Sequence, residues 1–298
     1  MTTLGLLGVP SSAAAHAPGL ERAPAALRAA GIVGALEAVG RTVVDHGDTA
    51  VARWRHDAPT RTDPHDVDRV VGVLAEARDA LAPVLHAGHV PLVLGGECTI
   101  TIALLAAMAE AGRDVGLVYV DGGQDLQLPS DHPEEPIADS MGVAHLLDLP
   151  GTNPALAGLG PRRPLLTPDR LVLVGFADEE EDVHGLVPSE RIAAAAVLDD
   201  PAAAARRALT AVEHAPDGFV VHLDVDVLDF FTLPVADIPQ YRSGLTPAVL
   251  RELLAGLTSD PRWAGLALTE VNPDRDADGV HLRTLVALLS SALDPAAG

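Results

Sequence analysis

Short apolar runs alternate with longer amphipathic ones along most of the chain. Leu4–Val9, Thr42–Asp45, Val90–Leu94, Gly116–Val120, Leu171–Gly175, Phe219–Leu223 and Trp263–Thr269 are brief, rich in Val and Leu, and bounded by Gly, Asp or Pro, which predicts strands. Between them, Pro24–Val39 repeats apolar residues at helical spacing up to Gly40. From Asp66 onward Val67, Val70, Val71, Leu74, Leu81, Val84 and Leu85 do the same, with Pro83 predicted to kink that helix or mark its last turn and Gly88 to stop it. Thr99–Ala111 and Gly279–Ala292 read as further helices. Thr246 is placed to cap another, with Pro247 in its first position and Val249, Leu250, Leu253, Leu254 and Leu257 on one face.

Strand runs that lack polar alternation are buried on both faces, and strands alternating with helices build a largely parallel sheet between two helical layers. The expected fold class is therefore α/β, a three-layer αβα arrangement with a mostly parallel sheet. No Pro/Gly/Ser-rich linker or shift in composition divides the chain, so residues 1–298 read as a single domain.

Composition narrows the partners. Aromatic residues make up only 3% of a chain that is 48% hydrophobic, so Val, Leu, Ala and Ile must fill the core. The formal net charge is −22 and every one of the 20 basic side chains is an arginine, a surface that repels phosphate backbones; nucleic acid and anionic membranes are excluded as partners. A single cysteine, Cys98, rules out an intrachain disulfide and agrees with a reducing compartment. The first ten residues have no basic region of a secretory signal, and no apolar run is long enough to span a bilayer; the expected location is the cytoplasm.

Chemistry concentrates where strands end. In an open parallel sheet, ligands gather beyond the carboxyl ends of the strands. Cys98, the Asp121/Asp125 pair, the Asp224/Asp226 pair and Glu270 each follow a predicted strand. Strand alternation would send Asp224 and Asp226 to one face, where two carboxylates repel unless a divalent cation lies between them. Oxygen-rich coordination suits Mn²⁺ or Mg²⁺ better than zinc; the alternative is one aspartate capping the next loop. Cys98 precedes a predicted helix whose dipole would lower its pKa, yet no histidine lies near it in sequence to serve as a base, and a buried inert thiol is the other reading. Gly95-Gly96 has neither pattern of a phosphate loop and reads as a tight turn.

Taken together these segments resemble the ureohydrolases, the family that includes arginase, agmatinase, guanidinobutyrase and formimidoylglutamase. The resemblance rests on GLERAPAALRAAG (Gly19–Gly31), Val44–Asp48, LGGECT, VDGGQD, HLDVDVLD, SGLT and TEVNPDRD, in the family's order and spacing across nearly the whole chain. It implies an arginase-like fold and a pair of manganese ions bridged by hydroxide that attack a guanidinium or amidine carbon. Carried over by motif, Asp121, Asp125, Asp224 and Asp226 match carboxylate ligands. Cys98 stands where the family has a histidine, and Gly123 stands where it has the central histidine of Asp-x-His-x-Asp. With Cys98 as a thiolate substitute and nothing from Gly123, the resemblance implies one manganese ion or none.

It also implies that Glu270 receives the substrate guanidinium by paired charge-assisted hydrogen bonds, with a salt bridge to Arg275 or Arg283 as the bland alternative. Asp178 and Glu180 fall where the family recognises the substrate's amino end, the alternative being a solvated acidic run from Asp178 to Asp182. Asp139-Ser140-Met141-Gly142 occupies the place of the proton-shuttling His-Gly segment, which makes Asp139 a catalytic candidate. His132 and His145 flank it, and either could move a proton, although each reads first as an exposed loop histidine without function; His222 reads as a core histidine or one supporting a ligand. The expected function is a divergent hydrolase of a C–N bond in a guanidino, amidine or amide compound, acting on a small nitrogen-rich molecule as a homo-oligomer, trimer or hexamer. A metal-free enzyme with another tailoring reaction in the same pocket, and a noncatalytic binding or partner protein, remain the rival readings.

Overall fold

The computed structural model describes residues 2–56, 63–177 and 184–296. Among the described residues eight strands, β1 (Thr3–Gly8), β2 (Thr42–Asp48), β3 (Val90–Leu94), β4 (Gly116–Val120), β5 (Leu171–Val174), β6 (Glu190–Ile192), β7 (Phe219–Asp224) and β8 (Trp263–Thr269), form one sheet in the order β2-β1-β3-β8-β7-β4-β5-β6. Every pairing between these strands is parallel. The helices are α1 (Ala23–Ala29), α2 (Ile32–Ala38), α3 (Val67–His86), α4 (Ile100–Glu110), α5 (Gly142–Leu146), α6 (Pro154–Ala157), α7 (Ala194–Asp199), α8 (Pro201–Ala211), α9 (Pro247–Thr258) and α10 (Val280–Ala292).

Strand alternation splits the core in two. Leu92, Leu94, Val118, Val120, Val221 and Leu223 face a layer built from α1, α2 and α7 to α10, whose Leu27, Leu36, Val197, Leu253 and Leu285 close the first core. Val93, Leu117, Tyr119 and Val220 face the other way, onto Leu74 of α3, Leu104 of α4, Val143 of α5 and Leu156 of α6. The three-layer αβα reading of the sequence is the arrangement found.

Local expectations fare unevenly. The helix predicted over Pro24–Val39 is two, because Gly31 adopts φ 91°, in the left-handed region, and breaks it between α1 and α2. Pro83 lies in the last turn of α3, which runs on to His86. Strand β6 and helices α5 to α8 were not anticipated. Asp200 caps α8 through its side chain with Pro201 in the first position, a start signal that the alanine-rich sequence around it obscured. Among the described residues no helix is long and apolar enough to cross a membrane.

Candidate functional site

Four neighbouring central strands, β3, β8, β7 and β4, deliver their carboxyl ends to one place. The loop after β3 carries Glu97 and Cys98, β4 leads into Asp121 and Asp125, β7 ends on Asp224, and β8 is followed by Glu270. Backbone hydrogen bonds latch the loops together: Gly95 N–H to Leu268 O at 2.7 Å and Glu270 N–H to Gly96 O at 2.8 Å. Glu270 itself sits at φ 63°, which turns the chain sharply off the strand. The latch leaves no room for a side chain at Gly96, where a Cβ would lie 1.6 Å from the carbonyl oxygen of Ser11. Gly96→Ala is therefore expected to cost at least about 3 kcal/mol in urea unfolding; an unchanged midpoint would show that the Ser11 backbone retreats freely.

The aspartates are held by main-chain donors rather than by arginines. Asp224 Oδ1 accepts from Asp226 N–H at 2.7 Å, because β7 stops at Asp224 and Val225–Val227 turns as a 3-10 helix. The two carboxyls share the site through this turn, and not through the strand alternation expected from the sequence. Asp226 Oδ1 accepts from Gly122 N–H at 2.9 Å and Asp121 Oδ1 from Gly123 N–H at 2.5 Å. The Tyr119 hydroxyl donates to Asp125 Oδ2. The Cys98 thiol donates to Asp224 Oδ2 at 3.0 Å, and Cys98 N–H donates to Asp139 Oδ1 at 2.7 Å. Among the described residues lining the cavity, Asp121 Oδ2 and Glu270 Oε1 are buried and meet no hydrogen-bond partner; Glu97 Oε2 behind it is likewise unpartnered.

So many acids in one buried place resist ionisation. Burial first, and then mutual repulsion, push Asp125, Asp224, Asp226 and Glu270 well above the usual carboxylate range. Asp139 is raised to about 7 by burial and by the Glu97 charge, and it shares a hydrogen bond with Glu270. Cys98 is a buried thiol, in keeping with the inert reading of the sequence. Burial, and then the facing Asp224, Asp139, Asp125 and Glu270 carboxyls, push its thiol well above the ordinary value, against any help from the start of α4. Glu97 points away from the cavity, accepting from the Ser11 hydroxyl at 2.9 Å.

Above these groups opens a cavity of about 600 Å³ whose floor includes Cys98, Asp121, Asp125, Asp224, Asp226 and Glu270, with Asp139 on its wall. The structure thus brings together all the candidate metal ligands and both candidate catalytic residues. Asp178 and Glu180, the candidates for recognising a substrate's far end, lie outside the described residues. Arg275 pairs with Asp237 at 2.9 Å and Arg283 bonds to Asp278 O, so the arginines offered as partners for Glu270 are engaged elsewhere. Among the described residues no arginine lines the cavity, and its mouth is again acidic, with Asp131, Glu134 and Glu135 beside His16 and His132.

The histidines separate by burial. His132 is half exposed at the mouth. His145 is no loop histidine: it lies within α5, its Nδ1–H donates to Met141 O at 2.7 Å, and its Nε2 accepts from Asn153 N–H at 3.1 Å. Both nitrogens are thus committed in the neutral form, and burial depresses the pKa from 6.5 to about 4. The unfolded chain takes up this proton near pH 6.5 while the folded chain refuses it until about pH 4. Its stabilisation is complete above pH 6.5 and is lost as the pH falls towards 4, at about 1.4 kcal/mol per pH unit. His145→Gln should shrink the wild-type loss of stability between pH 7 and pH 5, read from urea midpoints; equal losses in both proteins would refute the assignment.

His222 carries more than the sequence suggested. It is fully buried, its ring lies 3.9 Å from that of Tyr119 in a parallel stack, and its Nδ1 is 2.6 Å from the Thr101 hydroxyl of α4. Its Nε2 faces Asp121 Oδ2 at 3.6 Å. One ligand atom from each of Cys98, Asp121, His222 and Asp224 lies within 4.8 Å of every other, and a second group joins Cys98, Asp139 and Glu270. Gly123 contributes nothing to either.

Comparison with known proteins gives a consistent picture. The arginase family model matches residues 2–293. The arginase of Brevibacillus brevis is 27% identical over 309 residues, covering 97% of this chain and 96% of that protein. Among solved structures, the arginase of Bacillus caldovelox superposes with a TM-score of 0.85 at 24% identity over 98% of both chains. The proclavaminate amidino hydrolase of Streptomyces clavuligerus gives a TM-score of 0.74 at 20% identity, covering 99% of this chain and 92% of that one.

Proposed function

The chain belongs to the arginase family, and from that membership and its site we propose that it hydrolyses a C–N bond of a cationic guanidino or amidino compound at a reduced metal site. The observation that supports this most is the convergence of Asp121, Asp125, Asp224, Asp226 and Glu270 in one buried cavity without an arginine among its described lining residues. Such a cavity favours a positively charged guest and disfavours a free carboxylate.

The orphaned Asp121 Oδ2 and the crowd of carboxyls with raised pKa values fit a divalent cation. They do not fit two, since Gly123 leaves the second position with carboxylates alone. Asp121, Asp224 and Cys98, with Asp125 and Asp226 beside them, would hold the ion. A divalent ion bound there supplies Lewis acidity and a nucleophile at neutral pH. Glu270, with Oε1 free of any partner, would receive a guanidinium edge and fix the electrophilic carbon over the floor. Asp139, with a pKa of about 7, is suited to hold the proton that the leaving amine needs. For a guanidino substrate, water adds at carbon and the C–N bond to the side chain breaks, giving urea and the protonated amine.

The test is to reconstitute chelator-treated protein with Mn²⁺ and with other divalent ions, measure retained metal, and assay release of urea or ammonia from arginine, agmatine, guanidinobutyrate and formimidoylglutamate. One retained equivalent with turnover of at least one compound is expected. Retained metal without any turnover would overturn the hydrolase reading and favour a binding or partner role. The same family reading carries a cytoplasmic homo-oligomer, trimer or hexamer, which sedimentation equilibrium checks.

A further inference from the structure

The hydrolytic reading leaves His222 unused, although it is buried against the ligand cluster. We infer that Cys98, Asp121, His222 and Asp224 form a four-donor site for one borderline-soft divalent cation, zinc before manganese. This deepens the reading above and rests on it only for the location of the metal.

The donor set is the first argument. A thiol, an imidazole and two carboxylates within 4.8 Å of one another make a mixed S, N, O set of the kind that holds tetrahedral zinc, whereas manganese prefers oxygen. Zinc ligands at bond lengths of about 2.0–2.3 Å and tetrahedral angles lie roughly 3.3–3.6 Å apart. His222 Nε2 and Asp121 Oδ2 are 3.6 Å apart, too far for a hydrogen bond and right for two donors on one ion. Cys98 Sγ and Asp224 Oδ2, at 3.0 Å, need only part slightly.

Orientation is the second. The 2.6 Å contact between His222 Nδ1 and the Thr101 hydroxyl fixes the imidazole by its far nitrogen, and Nε2 faces the cluster, 3.5 Å from the Thr269 hydroxyl and 3.6 Å from Asp121 Oδ2. Stacking on Tyr119 at an interplanar angle of 3° locks the ring plane. Asp121 Oδ2 is buried, faces Nε2 and has no other partner. The neighbouring carboxyls are turned to other tasks, Asp125 to the Tyr119 hydroxyl and Asp226 to Gly122 N–H. Cys98, Asp121 and Asp224 line the cavity, and the fully buried His222 adds a nitrogen donor from within β7. On binding, the Cys98 proton leaves to solvent and the thiolate takes its place on the ion.

The test uses chelator-stripped, full-length protein loaded with Co²⁺ or Zn²⁺. One equivalent of Co²⁺ should give a thiolate-to-cobalt charge-transfer band in the near ultraviolet and intense visible bands of four-coordinate cobalt. Cys98→Ser should abolish the charge-transfer band, His222→Asn should weaken Zn²⁺ binding at least about 100-fold, and Thr101→Val about 10-fold, with far-ultraviolet circular dichroism confirming each fold. Cobalt bound without the band, or Zn²⁺ bound as tightly by the folded His222→Asn protein as by wild type, overturns the site. Urea release by Mn²⁺-loaded protein that lacks the cobalt band would sink this site and leave the hydrolase reading standing; the band without turnover of any guanidino compound would do the reverse.

Discussion

Asp224→Asn is expected to lose the bound metal, to lower turnover of any guanidino substrate by about 1,000-fold or more, and to make the metal-free protein more stable. The first two effects follow from position, since Asp224 lies at the centre of the cluster, bonded to Cys98 on one side and to Asp226 on the other. A lost Lewis acid is worth several kcal/mol of transition-state stabilisation, and about 4 kcal/mol is a factor of about 1,000. The third follows from charge. Burial and the nearby Asp226 and Asp121 push the Asp224 carboxyl well above its ordinary range, so the folded metal-free protein carries a cost that asparagine removes. Asparagine keeps the acceptor for Asp226 N–H, and a gain of about 1–2 kcal/mol in urea unfolding is expected. Unchanged metal content in Asp224→Asn, measured by mass spectrometry of dialysed protein, would remove Asp224 from the site.

Gly123→His should add a second equivalent of divalent metal. The backbone permits it: Gly123 does not occupy the left-handed region, and a Cβ there would meet only Asp121 Oδ1 at 3.5 Å and Asp125 Oδ1 at 4.0 Å, ordinary contact distances. The neighbouring Gly122 offers no such freedom, because a Cβ on it would lie 2.7 Å from Gln240 and 2.8 Å from Asp226. An imidazole at 123 would join Asp226 and the shared Asp121 and Asp224, giving the carboxylate-only position the nitrogen donor it lacks. The stoichiometry should rise from about one to about two ions per chain in Mn²⁺ at saturation. A ratio that stays at one would mean that more than the missing histidine separates this chain from a two-ion site.

The parts of the fold that the sequence announces are those whose burial is uniform. Val90–Leu94, Gly116–Val120 and Trp263–Thr269 are almost wholly apolar because helices cover both of their faces, and each is a strand as read. Strand β6 escaped notice because Glu190 and Arg191 lie at an exposed sheet edge and break the apolar run. Helices α7 and α8 hid in a run of alanines, a residue at home in core and surface alike, even though Ala204, Ala205 and Ala208 form a buried face of α8. The carboxylates of the site were visible because they end strands. His222 was visible as a residue but not as a donor, since its partners are Tyr119 across a strand pair and Thr101, 121 positions away on another element. Nothing local encodes that meeting. The same holds for Cys98, whose burial, and then the carboxyls supplied by remote strands, push its thiol up.

The order of strands in the sheet also governs how the chain reaches this state during synthesis. The strands made first fall into two groups, β2-β1-β3 and β4-β5-β6, and the two strands that join them, β7 and β8, are made last. Between completion of β4 at Val120 and arrival of β8 at Trp263, a ribosome adding about 5–20 residues per second needs on the order of ten seconds. Throughout that interval β3 and β4 each present an open edge of hydrophobic backbone, the feature that invites pairing with other nascent chains. Chains truncated before Phe219 should therefore be held by chaperones or aggregate, and neither half-sheet should acquire hydrogen-exchange protection until the central pair has been released.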